Sequence, residues 1–187
     1  MASRLALVRH GETDWNAEGR LQGQTDIPLN AVGRGQARAA GRELAGPAGP
    51  GSGGPARWDV LVSSPLARAA QTAAHIGGIL GLAARRPMGD LMERHYGDGE
   101  GRVVVGLPRH DLDRLLLTAE PERDVAERGV RALAALVREH PESNIVVVAH
   151  GTLLRLTLEA VLGERHPRLL NGQVVELDAA LLLSRTG

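Results

Sequence analysis

The sequence Leu5-Ala6-Leu7-Val8-Arg9-His10-Gly11 decides the expected fold, because an apolar run ends in two polar side chains and a glycine. A short apolar run bounded in this way is typical of a buried β-strand that opens into a loop. Residues 144–149 form the clearest run of this kind, and they lead directly into His150-Gly151. Val60-Leu61-Val62 is a third run, closed by Ser63-Ser64-Pro65. We therefore expect three buried strands, each followed by polar residues.

Stretches with apolar residues at helical spacing lie between and after these strands. The predicted helices cover residues 30–44, 65–80, 111–117, 123–140 and 152–162, with Asn30 suited to cap the first of them. Residues 174–177 and 181–184 are expected to pair as a closing hairpin, and 89–106 is expected to be irregular. Strands that alternate with helices indicate an α/β layer fold with a largely parallel sheet. Ligands bind such sheets at the carboxyl ends of the strands, which is where His10, Ser64 and His150 are expected.

Length and composition limit the class of protein to which the chain can belong. At about 150 residues per domain, 1–187 is expected to be a single domain. No apolar run reaches the ~20 residues that cross a bilayer, and the start lacks the apolar core of a signal peptide, so we expect a cytoplasmic protein with no membrane partner. The absence of cysteine excludes disulfides, thiolate catalysis and cysteine-bound zinc. The Gly- and Pro-rich stretch 46–55 is interpreted as a flexible surface loop.

The charges of the chain are balanced, with 22 basic and 22 acidic side chains. A chain without an excess of positive charge is a poor candidate for binding nucleic acid, because phosphate backbones attract a basic surface. All 22 basic residues are arginine and 24 residues are glycine, which is typical of a GC-rich bacterial genome. A single arginine is therefore a weak indication of function in this chain.

The strand-end histidines are the candidate chemical groups. His10 alone is as readily interpreted as a satisfied histidine at the end of a strand, since short motifs match by chance. His150-Gly151 repeats the arrangement at a second strand, which packing alone rarely explains. Arg68 falls in the first turn of a predicted helix, where a guanidinium and the helix N-terminus can bind an anion. Two histidines and two arginines that converge would bind a dianion and supply a nucleophile.

Leu7-Val8-Arg9-His10-Gly11-Glu12-Thr13-Asp14-Trp15-Asn16 resembles the signature of the histidine phosphatase superfamily, which includes cofactor-dependent phosphoglycerate mutases and many phosphomonoesterases. Further blocks of this resemblance follow in the family's order along nearly the whole chain. They are Leu21-Gln22-Gly23, Asp26-Ile27-Pro28-Leu29, Gly33, Gln36-Ala37, the segment 63–73, Leu91-Met92-Glu93-Arg94-His95-Tyr96-Gly97, Glu100-Gly101 and Ala149-His150-Gly151. The resemblance implies a three-layer α/β/α sandwich around a mostly parallel, mixed sheet.

The resemblance also implies roles for the matching residues. His10 is expected to be the nucleophile that becomes a phosphohistidine. Glu93 is expected to be the general acid that protonates the leaving oxygen and then the base that activates water. The groups expected to bind the phosphoryl oxygens are Arg9, Arg68 and His150, and those expected on the substrate side are Asn16, Gln22, Gly23, Tyr96 and Gly151.

Phosphoryl chemistry is consistent with these implied roles. A neutral imidazole can attack phosphorus without a metal ion when positive groups neutralise the phosphoryl oxygens. An alkoxide is a poor leaving group, so a carboxylic acid must supply a proton. We therefore expect no metal and no cofactor, except that a mutase would need 2,3-bisphosphoglycerate.

Two activities of this family stay open. Glu93-Arg94-His95-Tyr96-Gly97 resembles the mutase version of its segment. The chain nevertheless lacks the lysine and the later arginine pair with which mutases hold their substrate, and it is shorter than a mutase. A metal-independent phosphomonoesterase acting on a small phosphorylated metabolite is therefore the leading hypothesis, with phosphoglycerate mutase as the alternative. A catalytically silent protein that binds a phosphorylated ligand is a third interpretation, and a homo-oligomer stays open.

Overall fold

The computed structural model describes residues 4–46 and 58–185. The strands of these ranges are β1 (Arg4–Arg9), β2 (Val60–Ser63), β3 (Ile145–Ala149) and β4 (Val174–Asp178). The helices, in chain order, are α1 (Asp14–Ala17), α2 (Ala31–Ala45), α3 (Ala67–Leu80), α4 (Arg109–Leu115), α5 (Glu122–Glu139), α6 (Gly151–Leu162) and α7 (Ala179–Arg185). Short 3-10 turns at Gly89–Leu91 and Gly97–Gly99 lie within the segment expected to be irregular.

The four strands form one mixed sheet in the order β2-β3-β1-β4. Strands β1, β2 and β3 run parallel, while β4 pairs antiparallel with β1. Because side chains alternate along a strand, Leu5 and Leu7 pack with α5, α6 and α7, whereas Ala6 and Val8 pack with α2 and α3 on the opposite face. The predicted three-layer α/β/α sandwich with a mostly parallel, mixed sheet is therefore confirmed.

The predicted closing hairpin is wrong in its second half. Residues 174–177 do form a strand, but residues 181–184 belong to helix α7. The run from Ala179 to Leu183 consists only of alanine and leucine, which are strong helix formers, and contains no β-branched residue. Leu182 is fully buried in the core that also holds α5 and α6, so tertiary packing favours the same outcome.

The remaining predicted elements match the structure to within a few residues. Helix α3 begins two residues after Pro65, and Asn30 caps α2 by accepting a hydrogen bond from the backbone N–H of Gly33 at 2.9 Å. Most of the loop predicted at 46–55 lies outside the described residues. That 1–187 is a single domain stays a prediction. Within the two described ranges, no helix is both long enough and apolar enough to cross a membrane.

Helix α2 approaches the loop after β1 backbone to backbone. A Cβ atom added at Gly33 would lie 2.1 Å from the carbonyl oxygen of Glu12, and one added at Gly11 would lie 2.3 Å from that of Gly33. The backbone N–H of Asn30 also donates to the carbonyl of Glu12 at 3.0 Å. This close contact fixes the loop that carries His10 against the start of α2, and it leaves no room for side chains at either glycine.

We expect Gly33→Ala to destabilise the protein by about 1–3 kcal/mol, because the new methyl group would push the helix away from the loop. Gly35→Ala is the matched control in the same helix, since nothing lies within 4 Å of a Cβ atom there. That control should be neutral or stabilising by up to about 1 kcal/mol, because alanine is the better helix former. Urea denaturation followed by circular dichroism measures both changes. Equal effects at the two positions would contradict this account of the contact.

Candidate active site

The carboxyl ends of β1, β2 and β3 lie side by side at one edge of the sheet. The backbone N–H of His10 donates to the carbonyl of Ala149, and that of Ser64 donates to the carbonyl of Val148, each at 3.0 Å. A cavity of about 260 Å³ opens at this edge. The predicted site residues that line it are Arg9, His10, Asn16, Gln22, Glu93, Tyr96 and Gly151.

The hydrogen bonds of His10 determine which ring nitrogen carries the proton. Arg68 donates its Nε–H to His10 Nε2 at 3.3 Å, and an arginine N–H can only donate, so Nε2 must be the acceptor. Nδ1 then carries the proton and donates it to the carbonyl of Gly11 at 2.7 Å. Burial, with Arg68 and Arg9 nearby, holds the pKa of His10 well below its usual value. At neutral pH, Nε2 therefore keeps the lone pair that a nucleophile needs.

His150 lies beside His10, with 5.1 Å between the ring centroids. Its Nε2 is 2.8 Å from Ser64 Oγ, which also accepts the backbone N–H of Leu66 at 3.3 Å. A serine hydroxyl can donate as well as accept, so Ser64 can give its proton to Nε2, an arrangement that places the His150 ring proton on Nδ1. Burial, followed by the charge of Arg68, holds the pKa of His150 well below its usual value. His150 can therefore act as a neutral hydrogen-bond donor.

Two buried arginines place positive charge at this site. Arg68 is 0 % exposed, and it donates to the carbonyls of Thr25 at 3.0 Å and Gly23 at 2.6 Å. Arg9 donates to the carbonyl of Leu169 at 2.7 Å. Burial lowers the pKa of both arginines to about 10, so both are charged at neutral pH. Gly151 leaves room beside this guanidinium, since a Cβ atom there would lie 3.0 Å from Arg9 Nε.

Backbone N–H groups hold the carboxylate of Glu93. Oε1 accepts from Arg94 at 2.8 Å and from Leu153 at 3.0 Å, and Oε2 accepts from Thr152 at 3.0 Å. Two of these donors belong to the first turn of α6, which begins directly after His150. The helix therefore fixes Glu93 at the cavity wall relative to the histidines.

A network of amide groups orients Gln22. Thr13 Oγ1 donates to Gln22 Oε1 at 2.8 Å, and Asn16 Nδ2 donates to the same oxygen at 3.1 Å. Asn171 in turn donates to Asn16 Oδ1 at 3.0 Å and to the carbonyl of His10 at 3.1 Å. Oε1 thus accepts two hydrogen bonds, whereas Gln22 Nε2 has no partner among the residues that the structure describes.

Three buried side-chain nitrogens lack a hydrogen-bond partner among the described residues. They are Arg9 Nε, Gln22 Nε2 and His150 Nδ1. An unsatisfied buried polar group is costly, and each one in a native structure calls for an explanation. All three can donate, so a ligand with several acceptor oxygens, such as a phosphoryl group, would satisfy them together.

Three predicted site residues, Arg68, His150 and Gly23, do not line the cavity themselves. Arg68 and His150 both contact His10, which does line it, and the carbonyl of Gly23 accepts a hydrogen bond from Arg68. Tyr96 faces the cavity, and its hydroxyl lies 2.6 Å from Thr152 Oγ1.

Sequence reasoning assigned no role to Thr152, Asn171 or Arg168, which join the site in the structure. Thr152 directly follows His150-Gly151. Its place in the first turn of a helix, after a strand-end histidine, could have predicted a role in the site. Asn171 and Arg168 lie outside every quoted motif, and no sequence signal singled them out.

Comparisons with known proteins show the family of this chain. The family model of the histidine phosphatase superfamily, branch 1, matches residues 5–181. The chain is 36% identical to the uncharacterized phosphatase PhoE of Bacillus subtilis, over 85% of this chain and 77% of that protein. It is 31% identical to the metal-independent phosphoserine phosphatase of Arabidopsis thaliana, over 92% of this chain and 74% of that protein. The solved structure of a mycobacterial glucosyl-3-phosphoglycerate phosphatase with VO3 superposes with a TM-score of 0.77 at 30% identity, covering 95% of this chain and 91% of that one.

The lowered pKa values of His10 and His150 predict a loss of stability in acid. Above the unfolded pKa of about 6.5, both histidines are neutral in the folded and the unfolded chain, so they contribute no pH dependence. Below it, only the unfolded chain takes up the protons, and each histidine lowers the free energy of unfolding by about 1.4 kcal/mol per pH unit. Urea denaturation between pH 7.5 and pH 5 should show this slope.

Substitution separates the histidines from the carboxylates that also titrate in this range. His10→Asn and His150→Asn should each flatten the slope below pH 6.5 by about 1.4 kcal/mol per pH unit. His110→Asn, at a solvent-exposed position, is the matched control for the substitution itself. Unchanged slopes in both buried variants would show that these histidines take up protons in the folded state.

Proposed function

Because the chain belongs to the histidine phosphatase superfamily, branch 1, as its motifs predict, we propose that it hydrolyses small phosphomonoesters through a phosphohistidine on His10. The named phosphatases among its relatives support the class of enzyme. The observation that carries the proposal is the unprotonated Nε2 of His10, which is held beside Arg68 at a cavity that Arg9 and Gln22 line with unpartnered nitrogens.

The first step transfers the phosphoryl group to the enzyme. The Nε2 lone pair of His10 attacks phosphorus, and the ester P–O bond breaks. Glu93 gives its proton to the leaving oxygen, which departs as an alcohol. Because Nε2 no longer accepts a hydrogen bond, the Nε–H of Arg68 becomes available for a phosphoryl oxygen. Together with the donors of Arg9 and His150, it stabilises the charge of the transition state.

The second step restores the enzyme. Glu93, now a carboxylate, takes a proton from a water molecule as that water attacks the phosphohistidine. The N–P bond breaks, inorganic phosphate is formed, and the electron pair returns to His10 Nε2. The backbone N–H groups that hold Glu93 keep it in one place for both steps. It donates a proton in the first step and accepts one in the second.

The proposed substrate class is a small phosphorylated metabolite. Relatives named for phosphoserine and for glucosyl-3-phosphoglycerate support it. The cavity of about 260 Å³ lies below the roughly 300–1,000 Å³ that is usual for drug-sized ligands. Metal independence is proposed because two arginines already supply the positive charge, and a relative carries the same description. A cytoplasmic location stays a prediction.

The feature of this sequence that favours the mutase alternative is the segment from Glu93 to Gly97, and relatives named as probable phosphoglycerate mutases favour it as well. Within that segment, Glu93 and Tyr96 line the cavity. Arg94 instead binds the carbonyl of Glu120 at 2.7 Å and the carboxylate of Glu122 at 3.1 Å. The segment is therefore used in part to join the site to α5, a role that does not depend on mutase chemistry.

We expect His10→Asn to reduce hydrolysis by about 10³-fold or more, because no nucleophile remains.

Glu93→Gln should behave differently with different leaving groups. With an alkyl phosphate it should lose about 10²–10⁴-fold, because the leaving oxygen needs a proton. With p-nitrophenyl phosphate the first step should survive and the phosphohistidine should accumulate, because water attack lacks its base. Rapid-quench kinetics measure the rates of the two steps. Mass spectrometry of the intact protein, kept at alkaline pH, measures the accumulated phosphohistidine.

Asp98→Asn, at an exposed carboxylate five residues after Glu93, is the matched control and should keep normal kinetics. A Glu93→Gln enzyme that slowed equally with both leaving groups, and accumulated no phosphoenzyme, would refute the acid and base role of Glu93. An active His10→Asn enzyme would refute the nucleophile.

A phosphorus NMR time course separates hydrolysis from isomerisation. With 3-phosphoglycerate, a trace of 2,3-bisphosphoglycerate and EDTA, we expect only inorganic phosphate to grow, because water is the acceptor in the proposed second step. His10→Asn protein under the same conditions is the blank. Growth of 2-phosphoglycerate would show the mutase activity instead, and dependence on added Mg²⁺ would contradict metal independence.

A further inference from the structure

One cation on the cavity wall has no hydrogen-bond or ion-pair partner in the part of the chain that the structure describes. Three arginines line the cavity, namely Arg9, Arg20 and Arg168. Arg9 binds the carbonyl of Leu169, and Arg20 binds the carboxylate of Glu18 and the carbonyl of Gly101. Arg168 makes no hydrogen bond or ion pair with any residue in the described ranges. An exposed arginine without a partner is ordinary on a surface, so its place in the fold has to decide whether it matters.

The backbone on both sides of Arg168 is anchored. Leu169 is buried in the main hydrophobic core, and its carbonyl holds Arg9 at 2.7 Å. On the other side, the backbone N–H of His166 donates to Glu159 in α6 at 3.1 Å, and Pro167 follows with its restricted φ angle. Arg168 is therefore presented to the cavity from a fixed segment between α6 and β4.

The positive charge of Arg168 lowers the pKa of Arg9, one of the groups proposed to bind the phosphoryl oxygens. After burial, Arg168 is the largest cause that lowers the pKa of Arg9 to about 10. A phosphoryl dianion is matched by the charges of Arg9 and Arg68, and in the proposed first step Glu93 carries a proton and therefore no charge. The positive charge of Arg168 then has no counter-charge among the described residues that line this cavity, where Arg20 is already paired with Glu18.

The rest of the cavity limits which ligands can contact both the phosphoryl-binding groups around His10 and the guanidinium of Arg168. Leu21, Val104 and Val105 form an apolar part of its wall. A ligand that fits must place its phosphoryl group at His10, a short organic body along the apolar wall, and a second negative group at Arg168. In a cavity of about 260 Å³, a planar carboxylate is the compact group that a guanidinium binds with two parallel hydrogen bonds.

We propose that Arg168 determines specificity by binding the carboxylate of a small phosphomonoester that carries both groups. This inference rests on the proposed function, because it names the substrate class of the same site.

Matched substrate pairs test the proposal. O-phosphoserine and O-phosphoethanolamine differ only in a carboxylate, as do 3-phosphoglycerate and a phosphorylated diol without it. The wild-type enzyme should prefer the carboxylated member of at least one pair by about 10- to 100-fold in kcat/KM, the range expected for a charge-assisted hydrogen-bonded pair. Arg168→Gln should remove this preference mainly by raising KM, and Arg168→Lys should restore part of it.

Arg165→Gln is the matched control, since Arg165 is exposed three residues earlier and does not line the cavity. It should keep the preference. Hydrolysis of p-nitrophenyl phosphate by wild type and by Arg168→Gln reports the proposed function separately, because that substrate has no carboxylate. If neither protein hydrolyses it, the proposed function fails. If both do, and Arg168→Gln leaves the ratio within each pair unchanged or wild type shows no preference, the inference about Arg168 is overturned.

Discussion

The hydrogen bond from Arg68 to His10 is the interaction on which the site depends. It links a fully buried cation to the imidazole, and it requires that Nε2 be the acceptor. Removing a charged group from water is expensive unless its donors are satisfied. The carbonyls of Gly23 and Thr25 satisfy two further donors of Arg68. The charge of Arg68, which adds to burial in keeping His10 unprotonated, is therefore stable only while the segment from Gly23 to Thr25 stays in place.

That segment is held by Glu100, which connects it to the cavity wall. Its carboxylate accepts the backbone N–H groups of Gln24 and Thr25, each at 2.9 Å, and the hydroxyl of Thr25 at 2.5 Å. These hydrogen bonds outweigh the desolvation of Glu100 and lower its pKa. A Cβ atom at Gly23 would lie 2.7 Å from the backbone carbonyl oxygen of Arg94 and would also collide with Glu100 Oε1, so this position needs glycine. The chemistry of His10 thus depends on a carboxylate that does not line the cavity.

The sequence predicted those parts of the site that follow from strand ends. Apolar runs locate β1, β2 and β3, and parallel strands end at one edge, so His10, Ser64 and His150 were expected together. The tail was mispredicted because a short apolar run was interpreted as a strand, although alanine and leucine without a β-branched residue favour a helix. The role of Gly23 as a carbonyl acceptor could not be foreseen, because a backbone contact leaves no side-chain signature. Arg168 was equally hidden, since arginine supplies every basic side chain of this chain.

The separation of the two positive regions has a consequence for turnover. A substrate held at both His10 and Arg168 is bound at two linked points, and the second contact forms without a new loss of translational freedom. Breaking the ester bond separates the two anions, so each product keeps only one of the contacts. The alcohol leaves after the first step with only its carboxylate bound, and inorganic phosphate leaves after the second without help from Arg168. A cation remote from the bond that breaks therefore strengthens substrate binding more than it strengthens the binding of either product.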